Sequence, residues 1–159
     1  MIEKKLRVAA YAVCISDGQV LLARYVSPDR AEKYWTLPGG GVDHDEDPYR
    51  AVVREVAEET GYDARIEQLL GVDSRSRRVT RDGTETDMHL VGIYYRARVI
   101  GGELTHEIDG STDLAAWVPL SEVKTLERAA LVDTGLALVS TQPLDGHVPP
   151  TAVDGLVRD

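Results

Sequence analysis

Cysteine is almost absent from this chain of 159 residues, which contains only Cys14. A single cysteine cannot form an internal disulfide, no cysteine or histidine cluster has zinc spacing, and Cys14 itself is predicted to be a small core residue. Long apolar runs are also missing: no stretch of 18 or more apolar residues occurs, and residues 1–5 contain no apolar signal core. These absences exclude a disulfide scaffold and a membrane-spanning helix, and we expect a cytoplasmic protein.

Basic residues are few relative to acidic ones. The 18 Lys and Arg residues against 27 Asp and Glu give a formal charge of −9, which argues against general affinity for nucleic acid or an anionic membrane. A phosphorylated small molecule remains an option, because bound metal ions can supply local positive charge. With 43% apolar residues, the length fits one domain. We place it at residues 1–140, followed by a tail at residues 141–159 that is irregular or packed as an arm.

A charged helix between residues 40 and 62 is the central element of the sequence. Pro48 suits its first turn, where a backbone N–H is not needed, and Gly61 suits its end in the left-handed conformation. At about 100° per residue, three carboxylates share one arc and three valines lie on the adjoining side: Glu55, Glu58 and Glu59, and Val52, Val53 and Val56.

The carboxylate side of this helix indicates a cation. Carboxylates three or four residues apart on a helix repel one another by a few tenths of a kcal/mol per pair, so a purely structural helix would normally interleave lysine. Mg²⁺ takes oxygen ligands from one or two carboxylates together with substrate phosphates. The alternative is a solvated acidic face, which is common when such a motif stands alone.

The spacing of the whole stretch resembles the Nudix box. The fixed positions of that motif are occupied by Gly40, Glu46, Arg54, Glu55, Val56, Glu58, Glu59 and Gly61. Tyr62 follows, where the family more often has an aliphatic residue, and residues 35–39 also look like the usual lead-in to the box.

The resemblance implies an α/β (α+β) fold in which a mixed β-sheet is held between helices, over roughly residues 7–140. It also implies hydrolysis of a nucleoside diphosphate linked to another group, with Mg²⁺ or Mn²⁺ and an activated water. The implied metal ligands are Glu55, Glu58, Glu59 and the carbonyl of Gly40. Arg54 joins the three glutamates among the catalytic residues, because it could orient a carboxylate, although such an ion pair can equally be structural.

Further contacts to substrate are predicted at Arg24, Gly39 and Arg77. The glycines at 39–41 either let a phosphate or metal approach bare backbone or form a simple turn. Four arginines between residues 74 and 81 either form a solvated strand face or grip phosphates: Arg75, Arg77, Arg78 and Arg81.

Other candidates stay open. A further acid is implied by the family resemblance in the loop before the strand marked by Trp117, and the options are Glu103, Glu107, Asp109 and Asp113. Glu46 is either a helix cap, a partner of Arg54 or a ligand. Aromatic residues around the expected site either stack a nucleobase or belong to the core: Tyr11, Tyr25, Tyr34 and Trp35. His44 and His89 are read as ordinary polar residues.

The remaining elements follow from periodicity and turn signals. We predict a hairpin of residues 7–15 and 19–25 around Asp17-Gly18, strands at 35–37, 64–70, 88–100 and 114–118, a turn at Asp82-Gly83, and helix over 122–139 with Ser121 as N-cap. The order of strands and helices by itself supports a mixed α/β or α+β layer fold.

A pyrophosphohydrolase is the favoured function. No Pro occurs between Pro48 and Pro119, and residues 76–79 contain no Tyr, so two family signals for ADP-ribose and dinucleoside polyphosphates are missing. A nucleoside triphosphate, oxidised forms included, or a nucleotide sugar is therefore favoured. The alternatives are a non-catalytic nucleotide-binding regulatory module, and an isomerase of isoprenoid diphosphates, for which Cys14 is poorly placed. A homodimer is left open.

Overall fold

The computed structural model describes residues 2–150 and the backbone of residues 157–158. Two sheets and two helices make up this part of the chain, together with one 3-10 helix. The strands are β1 (Glu3–Val13), β2 (Ile15–Ser16), β3 (Gln19–Val26), β4 (Lys33–Thr36), β5 (Gly39–Gly41), β6 (Tyr62–Arg81), β7 (Thr84–Gly102), β8 (Thr112–Pro119), β9 (Arg128–Ala129) and β10 (Val157–Arg158). The helices are α1 (Pro48–Thr60) and α2 (Ala130–Thr141), and the 3-10 helix spans Leu120–Thr125.

The first sheet has the strand order β5-β1-β7-β6, and β1 runs parallel to β7 while the other neighbours are antiparallel. The second sheet has the order β10-β9-β4-β3-β2, with β8 also paired to β3. The predicted α+β architecture with mixed sheets and helices is confirmed. Within residues 2–150, neither helix is long and apolar enough to cross a membrane.

Two apolar clusters lie on opposite faces of β1. Ala10 and Ala12 belong to the α1 cluster, which includes Val52 and Val56 of α1. Val13 belongs to the α2 cluster, which includes Val132 and Leu138 of α2. Burial on both faces explains the small and β-branched residues of β1, because a strand covered on both sides is apolar at successive positions. The result is a central strand that fixes α1 on one side and α2 on the other.

The predicted opening hairpin is present only at its tip. Asp17 and Gly18 form the turn with φ angles of 52° and 73°, but only Ile15 and Ser16 pair with β3 across it. Residues 3–13 instead pair with β5 and β7 in the other sheet. The periodicity predicted strands correctly, but it could not show that the chain passes from one sheet to the other at Cys14.

The central hairpin β6–β7 is longer than predicted. Its turn is Asp82-Gly83, as predicted, with φ angles of 49° and 77°. The register shifts at three places in β6, between residues 63 and 64, 66 and 68, and 69 and 71. These bulges lie within or beside the predicted strand 64–70. The missed part, residues 72–81, pairs in regular register but consists mostly of polar residues and arginines, which gave no apolar strand pattern.

The predicted helix over residues 122–139 is wrong in its first half. A 3-10 helix ends at Thr125, β9 follows, and α2 begins at Ala130; Ser121 caps neither helix. The reason lies in Arg128, whose side chain is only 1% exposed. Its guanidinium donates to Asp133 of α2 and to the carbonyls of Lys124 and Leu126. These hydrogen bonds hold Arg128 in an extended segment between the 3-10 helix and α2, so the two do not form one continuous helix.

The tail beyond α2 packs against β6 as far as it is described. The N–H of Val72 donates to the carbonyl of Gly146 at 3.0 Å, and Val148 packs against the α2 cluster. Helix α2 itself continues to Thr141, and the backbone of β10 pairs with β9. The domain boundary at residue 140 stays a prediction, and the side chains of residues 151–159 lie outside the described residues.

Helix α1 begins and ends as predicted. The side chain of Asp47 accepts from the N–H of Tyr49, Pro48 occupies the first turn, and Gly61 ends the helix with a φ of 78°. The next loop passes directly over Gly61: a Cβ there would lie 2.3 Å from the carbonyl oxygen of Glu103. Gly61 therefore meets two demands, a left-handed backbone and a close backbone contact.

We expect Gly61→Ala to lower the free energy of unfolding by clearly more than a matched glycine-to-alanine change does. Gly83→Ala is the control, because Gly83 has nearly the same φ, 77°, and nothing within 4 Å of the added Cβ. The control measures backbone strain alone, about 1–2 kcal/mol. The clash at Gly61 adds roughly 1–3 kcal/mol. Urea unfolding of both variants checks this, and equal losses would contradict the close contact.

Candidate active site

A cavity of about 650 Å³ opens between the two sheets. One end is formed by the three glycines of β5 together with Glu55 and Glu59 of α1. Strands β1, β6 and β7 form its floor, and Tyr25 and Tyr34 of the second sheet face them. Its volume is in the range of small-molecule sites.

The glycines at 39–41 form a short strand against β1, and an added Cβ would clash with backbone at Gly39 and would displace the Glu55 carboxylate at Gly40. A Cβ at Gly39 would lie 2.2 Å from the carbonyl oxygen of Ala10, and one at Gly40 would lie 2.8 Å from Oε1 of Glu55. The missing side chains thus let the backbone approach the carboxylates of α1 closely. This placement agrees with the close-approach interpretation of the glycines and not with a simple turn.

Glu59 is buried at the end of the cavity, with 1% of its surface exposed. Its Oε1 accepts from the N–H of Gly39 at 3.3 Å, whereas its Oε2 has no hydrogen-bond partner among the described residues. Burial, and next the charge of Glu55, raise the pKa of Glu59 well above its usual value. The Glu55 and Glu59 carboxyl groups also lie within hydrogen-bond reach of each other. Two buried carboxylates side by side require compensation, and either a shared proton or a bound cation would provide it.

Glu55 lies one turn before Glu59 and lines the same cavity. Burial raises the pKa of its carboxyl group, while Arg54 opposes that shift. The two carboxylates and the bare backbone of Gly40 therefore lie together at one end of the cavity, and their role as metal ligands stays a prediction.

Glu58 does not join them. Its side chain is 49% exposed and lies 3.4 Å from Nη1 of Arg54, and it does not line the cavity. Within the described part of the chain, no three His, Cys, Asp or Glu side chains are grouped closely enough to hold a metal ion. The structure thus brings together two of the three predicted carboxylate ligands.

Arg54 connects the carboxylates of this region. Its Nε and Nη2 donate to the two oxygens of Glu46, both at 2.8 Å, and Nη1 donates to Glu55 at 3.1 Å. Nη2 also donates to the carbonyl of Gly41 at 3.2 Å. The hydrogen bonds from Arg54 hold the pKa of Glu46 down at about 2. Of the roles left open for Glu46, the structure shows that of a partner of Arg54.

Among the loop acids, Glu107 is the one that acts on Glu59. Its charge contributes to the raised pKa of Glu59, and its Oε2 accepts from the N–H of Thr112 at 3.2 Å. Asp109 lines the cavity, whereas Glu103 is exposed outside it. Asp113 is bound to Arg24 and Lys33.

The three predicted substrate contacts are placed differently. Gly39 and Arg77 line the cavity. Arg24 does not, because its guanidinium forms two hydrogen bonds of 2.8 Å to Asp113, at the junction of β3 and β8. We therefore leave Arg24 out of the proposed substrate contacts.

The aromatic and histidine candidates also separate. Tyr11, Tyr25 and Tyr34 line the cavity, whereas Trp35 packs against the α2 cluster. Both histidines singled out in the sequence, His44 and His89, are exposed and lie outside the cavity. Burial raises the pKa of Cys14 to about 12, and this residue belongs to the α1 cluster as predicted.

Arg7 is a cavity residue that the sequence reasoning missed. Its guanidinium lies beside Gly41, where Nη2 would be 3.3 Å from an added Cβ. Arg7, Ala9 and Tyr11 alternate along β1 and all line the cavity, so the period of two was the available signal. This period shows that the three residues share one face of β1. Whether that face meets the cavity depends on the pairing of β1 with the glycine strand β5, which the sequence does not reveal.

The chain is similar to several known proteins. A family model described as NUDIX domain matches residues 5–136. The chain is 31% identical over 141 residues to a MutT-like protein from Streptomyces ambofaciens, which covers 88% of this chain and 77% of that protein. It is also 36% identical over 97 residues to an ADP-ribose pyrophosphatase from Methanocaldococcus jannaschii. The aligned part makes up 61% of this chain and 53% of the relative. The chain thus spans about half the length of that relative.

A solved structure shows the same fold. The NUDIX hydrolase from Nitrosomonas europaea superposes with a TM-score of 0.72 over 91% of this chain and 97% of that one, at 24% identity. The family model covers most of the chain and includes the whole motif from Gly40 to Tyr62, so the resemblance noted in the sequence is confirmed. The chain belongs to the NUDIX domain family.

Proposed function

We propose that this protein is a divalent-metal-dependent hydrolase that cleaves the pyrophosphate bond of a nucleoside diphosphate linked to another group. One observation carries the proposal: Glu59, whose buried Oε2 accepts from no donor among the described residues, lines the same cavity as Glu55 and the backbone of Gly40. Hydrolysis of a phosphoanhydride requires a place where phosphate charge is neutralised, and this end of the cavity suits that task.

The residues present fit Mg²⁺ or Mn²⁺, since carboxylate and carbonyl oxygens are the ligands that such hard cations take. Glu55, Glu59 and the carbonyl of Gly40 would hold the ion, and Glu58 would have to leave Arg54 to join them. When bound, such an ion neutralises phosphate charge and lowers the pKa of water.

The chain's own residues supply orientation and proton transfer. Arg54 orients Glu55 through a hydrogen bond from Nη1. Its other nitrogens donate to Glu46 and to the carbonyl of Gly41, so they hold helix α1 at a fixed distance from the glycine strand β5. A carboxylate of α1 or an acid of the loop at residues 103–113 accepts the proton that the attacking water loses. Arg7, beside Gly41, is placed to bind a phosphate oxygen at this end.

Two aromatic residues of the cavity support a nucleotide as the substrate. Tyr25 and Tyr34 lie with ring centroids 4.8 Å apart and offer an aromatic wall for a nucleobase. We propose a nucleoside triphosphate or a nucleotide sugar, and we add ADP-ribose because of the name of the archaeal relative. The cytoplasmic location and a homodimer stay predictions, and light scattering on the purified protein tests the latter.

Turnover of a nucleotide panel with Mg²⁺ tests the function, and thermal unfolding tests the metal site directly. We expect Mg²⁺ to raise the Tm of the wild-type protein, because an ion that binds only the folded state at 100 times its Kd stabilises by about 2.7 kcal/mol. The increase should be absent in Glu59→Gln. Ca²⁺-free, EDTA-treated protein is the reference. An equal Mg²⁺ response in both proteins, or no turnover on the panel, would contradict the proposal, and nucleotide binding without turnover would favour the regulatory module.

A further inference from the structure

The cavity is rich in arginine at the end far from the glutamates, although the chain as a whole carries a charge of −9. The arginines that line the cavity are Arg7, Arg30, Arg75, Arg77 and Arg81. Acidic residues in the lining other than Glu55 and Glu59 are Asp73 and Asp109. Of these, Asp73 is paired with Arg75 at 2.8 Å.

Strand pairing places three of these arginines away from the proposed metal end. Arg75, Arg77 and Arg81 lie on β6, which is the opposite edge of the sheet from the glycine strand β5. Three strand spacings separate the two edges, which corresponds to roughly 14 Å. Arg77 and Arg81 are also displaced along the strands, since they pair with Met88 and Thr84 and not with Gly92, which pairs with Ala9 beside the glycine strand. A group that touches Arg77 and Arg81 is therefore not the phosphate beside Glu55 and Glu59, whereas Arg75 lies nearer to that end.

Side-chain alternation aims this wall into the cavity. Asp73, Arg75 and Arg77 are two residues apart and line the cavity together, whereas the side chain of Arg78, the residue after Arg77, is 65% exposed and lies 3.7 Å from Glu85. The same strand thus carries arginines on both faces, and only one face meets the substrate space. Arg78 supplies a natural control for Arg77.

Arg77 also reaches the other sheet. Its guanidinium hydrogen-bonds the hydroxyl of Tyr34, whose ring lies beside Tyr25 on the opposite wall. A phosphate is a stronger partner for a guanidinium than a neutral hydroxyl, because both members of the pair are then charged and the hydrogen bonds are bidentate. Like-charged side chains gathered in one cavity repel each other, and an anionic group between them removes that repulsion.

We propose that the wall formed by Arg75, Arg77 and Arg81 binds a second phosphate group, located on the part of the substrate beyond the pyrophosphate that is cleaved. The inference rests on the proposed function for the location of the cleaved bond. It narrows the substrate class to pyrophosphates whose distal group is itself phosphorylated, and it makes Arg77 a specificity-determining residue.

The experiment compares three probes that differ by one phosphate: ADP-ribose, its 2′-phosphate and its 1″-phosphate, which extend the molecule at either end. We expect one of the two phosphorylated probes to show a kcat/KM about 10- to 100-fold above that of ADP-ribose, mostly through KM, as one charge-assisted contact provides. Arg77→Gln should remove most of this preference. Arg78→Gln should keep it, and Tm values confirm that both variants are folded.

Binding in EDTA, measured by calorimetry with the same probes, separates the two proposals. Turnover without any preference for a phosphorylated probe overturns this inference and leaves the hydrolase. If binding shows a phosphate preference that depends on Arg77 but no probe is turned over, the hydrolase proposal is overturned. Phosphate binding by the arginine wall then still stands. Equal losses in Arg77→Gln and Arg78→Gln would show a general charge effect and also overturn the inference.

Discussion

Replacing Glu59 by Gln is expected to lower kcat for the best substrate by roughly 10³-fold, while the metal-free protein becomes slightly more stable. The loss follows from the removal of a charged ligand at the place where phosphate charge is neutralised, a contribution of several kcal/mol. Glutamine has nearly the same size and can still accept from the N–H of Gly39. The change therefore removes charge and little else.

The gain in stability has a separate cause. In the metal-free protein the Glu59 carboxylate is buried, has an oxygen without a partner and lies against Glu55. Neutral glutamine avoids that cost, so we expect the Tm in EDTA to rise by about 2–4 °C for each kcal/mol recovered. Opposite signs for activity and stability are typical of functional residues and not of core residues.

Steady-state kinetics with Mg²⁺ and thermal unfolding in EDTA check both parts. Glu122→Gln is the control, because Glu122 is exposed in the 3-10 helix and outside the cavity. If Glu59→Gln keeps more than a tenth of the wild-type kcat, Glu59 is not a catalytic residue. A clear loss of Tm in EDTA would mean that the carboxylate is a structural group.

Local signals predicted α1 accurately because its determinants are all near in sequence. Asp47, Pro48 and Gly61 each act through their own backbone, so the cap and the end of the helix follow from residue type alone. The same holds for the turn at Asp82-Gly83. From this helix, the placement of Glu55 and Glu59 on one side also followed.

Features set by distant partners could not be predicted in that way. Arg24 is held by Asp113, which is 89 residues away in the chain, and only the pairing of β3 with β8 brings them together. Arg128 interrupts a helix-compatible stretch because its charge is satisfied by Asp133 and two carbonyls. Helical periodicity contains no information on either contact.

Glu58 shows the same limit inside the motif. Spacing placed it in the arc of the other two glutamates, but the structure turns it toward Arg54 and solvent. A helix fixes the direction of Cα–Cβ bonds, whereas the position of a long side chain depends on its charged neighbours. The position of Glu58 therefore depends on Arg54, which would compete with a cation for the same carboxylates.

Arg54→Ala is expected to lower kcat/KM by roughly 10- to 100-fold, the usual cost of losing a residue that orients metal ligands. Four groups lose a partner at once, namely Glu46, Glu55, Glu58 and the carbonyl of Gly41. Glu55 is the most important of them, because it lines the cavity. We expect the Mg²⁺ concentration needed for half-maximal activity to rise, since the ligand is no longer oriented.

Two further variants separate orientation from charge and from helix stability. Arg54→Lys keeps the charge but cannot span both oxygens of Glu46 and the carbonyl of Gly41, so we expect it to recover only a small part of the activity. Arg50→Ala is the matched control, one turn earlier in α1 and exposed. If Arg54→Lys restores full activity, charge alone suffices. If Arg54→Ala changes Tm but not the Mg²⁺ dependence, Arg54 stabilises the fold and does not orient Glu55.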